Sequence, residues 1–272
     1  MAGRKAVMRE LLKAAGQTYA AEAGIKLADT PQPLYRTLVL SCLLSARIRA
    51  SVAVASTRAL YEAGMRGPRD MADATWQQRV DALGRGGYRR YDERTATQLG
   101  DGARIVLEEW RGDLRRAREE ADGDAAVLKR LLRRVPGLGP TGADIFLREV
   151  QDVWPEYRPH LDAKVLQGAE RLGLPRTASG LTRLAADERP AVLAAALVRA
   201  ALDRKLAQDC LDRAAGQSGA ATASRGAPGA RTPGTPGSHV VPAGGWPGRA
   251  GPRRPWRSGS RGRGIPRSVR RC

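Results

Sequence analysis

Apolar residues recur at helical spacing through most of the first 213 residues. No period-two alternation is long enough to predict a strand. The pattern predicts a helix over 4–28, with Val7, Leu11, Leu12 and Ala15 on one face, broken by Thr30-Pro31-Gln32-Pro33. A nearly continuous apolar run from about Leu34 into Leu44 and Ser45 predicts a buried helix. Ser51–Gly64 follows as a helix, and Gly67-Pro68 as a turn. Asp70–Leu83 reads as a short helix pair anchored by Trp76, Val80 and Leu83. Three glycines in four residues make 84–88 a loop. Helices are then expected over Arg94–Trp110, from a cap at Asp124 to Arg134, and over Ala163–Leu172, Thr177–Ala186 and Pro190–Ala214. The expected fold class is all-α.

The pattern stops at about 215, where composition shifts to Gly, Pro, Ser and Arg. Such a segment buries too little apolar surface to offset its conformational entropy, so 216–272 is expected to be a disordered basic tail. Charge sharpens the picture. Of 47 basic and 28 acidic residues, eleven arginines and no acid lie beyond 213, which leaves a net +8 in the first 213 and +19 overall. A basic balance in both parts points to a polyanionic partner. GC-rich coding accounts for part of the arginine excess, since Asn is absent and Lys scarce.

Charges interrupt the basic N-terminus before an apolar export segment forms, and the apolar runs Leu38–Leu44 and Ala191–Val198 are too short to span a bilayer. Cys42, Cys210 and Cys272 are far apart, which fits a reducing cytoplasm. Two distant histidines and scattered cysteines make no metal set.

The segment 124–150 carries the most chemistry. Val127, Leu128, Leu131, Leu132 and Val135 share one helix face, and Ala143, Phe146, Leu147 and Val150 share another. Between them lies Pro136-Gly137-Leu138-Gly139-Pro140. Both glycines are expected to allow positive φ and to leave an approaching phosphate unobstructed, while Leu138 tucks beneath the turn. Pro140 suits the first position of the next helix, whose free N–H groups and dipole then face an anion. A plain αα-corner with glycine capping uses the same residues.

The segment at 135–143 resembles the hairpin of the helix-hairpin-helix DNA glycosylases, the endonuclease III-like group of base-excision repair. Leu43-Leu44-Ser45-Ala46-Arg47, Gly86-Gly87-Tyr88, Trp154-Pro155 and Leu161-Asp162 are similar to further motifs of that group, in the same order, across about 34–174. The resemblance implies two helical domains around a cleft. A six-helix barrel-like domain would span 34–155, and a second domain would come from both chain ends, 1–33 and 156–215. It implies a hairpin gripping the backbone of double-stranded DNA, a base flipped into the cleft, and a catalytic aspartate at Asp162. Asp162 also has the sequence position of a helix N-cap.

Three features depart from the family pattern. Thr141 stands where bifunctional members carry the lysine nucleophile, and a hydroxyl forms no Schiff base. Lys164 is the nearby amine, or an ordinary solvated helix lysine. Four closely spaced thiolates are missing, so no iron–sulfur cluster and no other cofactor is expected. Arg47 stands where a glutamine fills the gap left by the flipped base; it fills that gap or contacts a phosphate.

Backbone contacts are expected from Gly137, Leu138 and Gly139 with Arg47, Arg89, Arg90 and Arg133. Arg115, Arg116 and Arg118 read as a solvated helix face. The expected activity is that of a monomeric monofunctional DNA glycosylase hydrolysing the N-glycosidic bond of a damaged or mismatched base. The alternatives are a non-catalytic helix-hairpin-helix DNA-binding protein and a helical protein-interaction module.

Overall fold

The computed structural model describes residues 3–185 and 188–223, with side chains as far as 216. Among the described residues every regular element is helical. In chain order they are α1 (Arg4–Ala15), α2 (Tyr19–Glu22), α3 (Pro31–Ser45), α4 (Ala50–Glu62), α5 (Pro68–Asp73), α6 (Trp76–Arg85) and α7 (Asp92–Trp110). Then follow α8 (Arg115–Ala121), α9 (Ala125–Leu132), α10 (Pro140–Val150), α11 (Ala163–Arg171), α12 (Ala178–Ala185), α13 (Pro190–Leu202) and α14 (Arg204–Ala223). A 3₁₀ turn, Pro155–Tyr157, lies between α10 and α11. No described helix is long and apolar enough to cross a membrane.

The helices form two groups. α3 packs on α4, α4 on α6, and α5 and α6 on α7. α1 packs on α12, α13 and α14, while α11 lies against α13. The central helix α10 touches α3 on one side and α13 on the other. Its apolar face supplies Ala143, Phe146, Leu147 and Val150, all fully buried. Phe146 meets the Trp154 ring edge-on, with centroids 5.6 Å apart. Truncating such an aromatic typically costs about 3–5 kcal/mol.

Local chemistry moves several boundaries away from the sequence expectation. The helix expected over 4–28 is broken at 16–18, where Thr18 accepts a hydrogen bond from Ala21 N and starts α2 afresh. The prolines at 31 and 33 open α3 instead of breaking the chain ahead of it, because the first turn of a helix requires no donor from them. α6 runs through Gly84 to Arg85, and only 86–87 turn. The helix expected over 190–214 divides at Asp203, whose carboxylate caps α14 through Lys205 N and Leu206 N at 2.9 and 3.0 Å. The boundary placed after 215 falls within α14; residues 224–272 lie outside the described residues.

Three residues depart further. Trp76, expected as a core anchor, is 42 % exposed, while Arg79 is buried. Arg79 donates to Ala96 O at 2.7 Å, Ala74 O at 2.6 Å and Met71 O at 3.0 Å, tying α5, α6 and α7 together. Gly100 of α7 makes room for it, since a Cβ there would lie 2.7 Å from the guanidinium carbon. Arg118 is not on a solvated face. It pairs with Asp29 at 2.8 Å and Glu156 at 2.5 Å and lies over the Trp154 ring, whose Nε1 donates to Asp29.

Candidate nucleic-acid interface and adjoining pocket

α9 begins at Asp124, whose Oδ1 accepts from Ala126 N and Val127 N, and α9 ends where the chain enters the turn at 133–139. Gly137 has φ +86°, a conformation that L side chains rarely adopt. Gly139 does not. It is extended at φ −76°, ψ −174°, and nothing lies within 4 Å of a Cβ built there. The expectation of positive φ at both glycines therefore holds only for Gly137. At Gly139 the missing side chain matters as open space. Leu138 lies buried beneath the turn, so the residue offers its backbone rather than its side chain.

Pro140 is the first residue of α10, and no side chain caps that helix. The N–H groups of Gly137, Gly139, Thr141 and Gly142 have no acceptor among the described residues. They border an open groove of about 730 Å³ lined by the hairpin, the α3 end (Ser45, Ala46, Arg47), Tyr88, Tyr91 and Arg94. Arg47, Arg94 and Arg133 line it without an ion-pair partner among the described residues, and no acidic residue is in its lining. Open amides, a helix N-terminus and three uncompensated guanidiniums give a surface of one sign, suited to a phosphate backbone. Arg89 and Arg90 are exposed on the same loop as Tyr88 but are not part of the lining; Arg90 lies 5.3 Å from the Tyr91 ring centroid. Arg134 faces elsewhere and pairs with Glu109 at 2.9 Å. Cys42, on the groove floor, is an inert thiol, since burial pushes it up to about 12.

A second cavity, about 350 Å³, adjoins this groove, and Ala46 and Thr141 line both. Leu44, Ile48, Ile145 and Val198 give its apolar walls, with Tyr19 beside them. Its charged residues are Asp144 and Arg148 of α10 and Asp162 and Lys164 of the α11 start. Asp162 has both oxygens engaged. Oδ1 accepts from Lys164 N at 2.9 Å and Val165 N at 3.0 Å, and Oδ2 lies 3.3 Å from Arg148 Nε. The side chains of Arg148 and Asp162 are only 9 % and 11 % exposed. Lys164 Nζ donates to Gln167 on its own helix, an arrangement any solvated helix lysine adopts.

The sequence reading missed Arg148 and Asp144. Asp144 Oδ1 is 3.2 Å from both Lys129 Nζ and His160 Nε2. Burial pushes His160 down, against the opposing pull of Asp144 and Asp162. Thr141, Asp144 and Arg148 follow one another at i, i+3 and i+7. That spacing puts them on the α10 face opposite its apolar stripe, and it was the signal available in the sequence. Among the described residues no group of three or more His, Cys, Asp or Glu side chains could hold a metal ion, and Cys42 and Cys210 are both free.

No protein-family model and no curated protein matches this chain. Among solved structures, a trapped endonuclease III–DNA covalent intermediate, an estranged-adenine complex, superposes on 73 % of this chain and 86 % of its own. The identity is 15 % and the TM-score 0.42, which leaves the functional reading to rest on the groove and pocket themselves.

Proposed function

We propose that this chain binds duplex DNA at the 135–143 hairpin and receives a flipped base in the Asp162 pocket, as a monofunctional DNA glycosylase. The observation that carries the reading is the shared wall. Ala46 and Thr141 border both the groove, with its open amides and unpaired arginines, and the 350 Å³ pocket. A base that leaves the stack of a duplex held in the groove has the pocket beside it. Extrusion costs a few kcal/mol, and stacking against apolar walls offsets part of it. The pocket volume is within the range of about 300–1,000 Å³ common to ligand clefts.

The chemistry that fits is hydrolysis. The C1′–N bond breaks with its electron pair leaving on the base, and the oxygen of water bonds to C1′. A proton of that water passes to solvent or to the departing base. The Asp162 carboxylate faces the positive charge that develops on the sugar. Thr141 lies on the pocket rim without an amine, so no Schiff base forms there.

One observation favours a second reading, a DNA-binding protein without chemistry. Arg148 and two backbone amides occupy both oxygens of Asp162, which weakens its pull on a cationic sugar. A panel of duplexes, each carrying one lesion or mismatch and assayed for base release before alkaline cleavage, separates the two. Release abolished by Asp162→Asn in a variant that still binds duplex supports the glycosylase. Duplex binding with no release from any substrate supports the non-catalytic protein.

A further inference from the structure

Arg148 is the group in the second cavity whose chemistry is unfinished. Its side chain is nine-tenths buried and lines the cavity, yet its Nε makes no hydrogen bond. The acceptor nearest to it, Asp162 Oδ2, stands 3.3 Å away as an ionic partner only; the terminal nitrogens are not among the enclosed atoms, and no protein acceptor meets them among the described residues. A guanidinium is always charged, carries five donors and accepts nothing. Enclosing Nε without a hydrogen bond is unfavourable, and the terminal donors are left for acceptors that a molecule bound in the cavity supplies.

The neighbours define that molecule. The carboxylates of Asp144 and Asp162 line the same cavity and offset the charges of Arg148 and Lys164, so the cavity has no excess positive charge to hold a free anion. The apolar walls of Leu44, Ile48, Ile145 and Val198 suit the faces of a planar ring. The guest that fits is a neutral heterocycle with acceptors on its edge. A planar fork pairs best with two neighbouring acceptors. Among nucleobases these are O6 and N7 of an oxopurine, or N3 and O2 of a cytosine; adenine and uracil mix donors among their acceptors.

We propose that Arg148 is the specificity-determining residue of this pocket and that the pocket selects bases presenting two adjacent acceptors on one edge. The inference rests on reading the pocket as a base site.

The test is a binding series with the full-length chain. Duplexes carry one variable base opposite an abasic analogue, so that pairing strength does not differ among them. The bases are hypoxanthine, 7-deazahypoxanthine without N7, unsubstituted purine without O6, cytosine and uracil. Hypoxanthine is expected to bind about tenfold or more tighter than either atom-deleted purine. Cytosine above uracil by a similar factor extends the selection to both sources of the acceptor pair; hypoxanthine selectivity alone confines it to oxopurines. Both outcomes support the assignment. Arg148→Lys, which keeps the charge beside Asp162 but loses the fork, is expected to level the series. Equal wild-type affinity for every base, with duplex binding intact, overturns the assignment and leaves DNA binding standing. Selectivity that survives Arg148→Lys also overturns it. Absence of binding to any duplex overturns the proposed function, and the assignment with it. The atom-deletion arm uses the unaltered chain, so it remains decisive if the variant fails to fold.

Discussion

Arg148 Nε and Asp162 Oδ2 face one another at 3.3 Å across the start of α11, in a place where both side chains are about nine-tenths enclosed. The aspartate thus has three duties at once: it caps α11, neutralises a buried guanidinium and borders the pocket. Asp162→Asn keeps the cap but leaves Arg148 without a counter-charge. The variant is expected to lose about 3 kcal/mol of stability, the usual scale for breaking a buried pair from one side. Urea denaturation measures this, and the double variant Arg148→Met/Asp162→Asn should recover part of the loss. An Asp162→Asn protein as stable as wild type would show that the pair contributes nothing to folding.

The two glycines of the hairpin separate folding from binding. Gly137→Val places a β-branched residue at φ +86° and its Cβ 3.1 Å from Gln98 Oε1, so it should destabilise by about 2 kcal/mol as well as weaken DNA binding. The Cβ of Gly139→Val meets no atom within 4 Å and the position needs no unusual φ, so thermal unfolding should change little. Its side chain stands where a phosphate would approach the α10 amides, and duplex affinity should fall severalfold for all sequences alike. Fluorescence anisotropy reads the outcome. Unchanged affinity in Gly139→Val would leave 133–140 as a plain helical corner.

Phosphate contacts have a salt signature. Replacing Arg47 or Arg133 by Gln should each reduce the slope of log K against log salt by about 0.9, since each guanidinium displaces about one counterion. Arg89→Gln and Arg90→Gln, outside the groove lining, should have smaller effects. A slope unchanged by both Arg47→Gln and Arg133→Gln would place the backbone on another surface.

His160 predicts a pH dependence of stability. Burial lowers its proton affinity from the ordinary 6.5, although Asp144 and Asp162 pull the other way and Lys129 adds to the lowering. A histidine with a depressed folded pKa contributes stability that is present above the unfolded value and lost as pH falls through the folded one. The urea midpoint should therefore decline as pH is lowered below about 6.5, and His160→Gln should flatten that part of the profile. A wild-type midpoint that rises over the same interval would contradict this placement of the proton.

Much of the helical content was legible from periodicity. The stripe at 143, 146, 147 and 150 anticipates the buried face of α10, and Asp124 starts α9 as its side-chain chemistry requires. The breaks at 16–18 and at Asp203 escaped because apolar spacing continues across them and only a single capping oxygen marks each new start. Arg79 escaped for another reason. Nothing in a local pattern tells an arginine that will meet three carbonyls from one that will meet water. At the site, the hairpin and the Asp162 cap are written in contiguous residues. The partnership of Asp162 with Arg148 joins positions fourteen apart and exists only after α10 and α11 pack.

The recess at Gly100 has a consequence for how this chain tolerates change. The guanidinium of Arg79 fills the volume a methyl group at 100 would need, so the two positions form a lock in which neither part alters alone. Gly100→Ala in the native background would push the guanidinium off its three carbonyls. The same alanine beside a short apolar residue at 79 would meet an empty space, although the three carbonyls would then lose their donor. Change at this corner is therefore coupled: the cost of an alteration at either position depends on which residue already stands at the other.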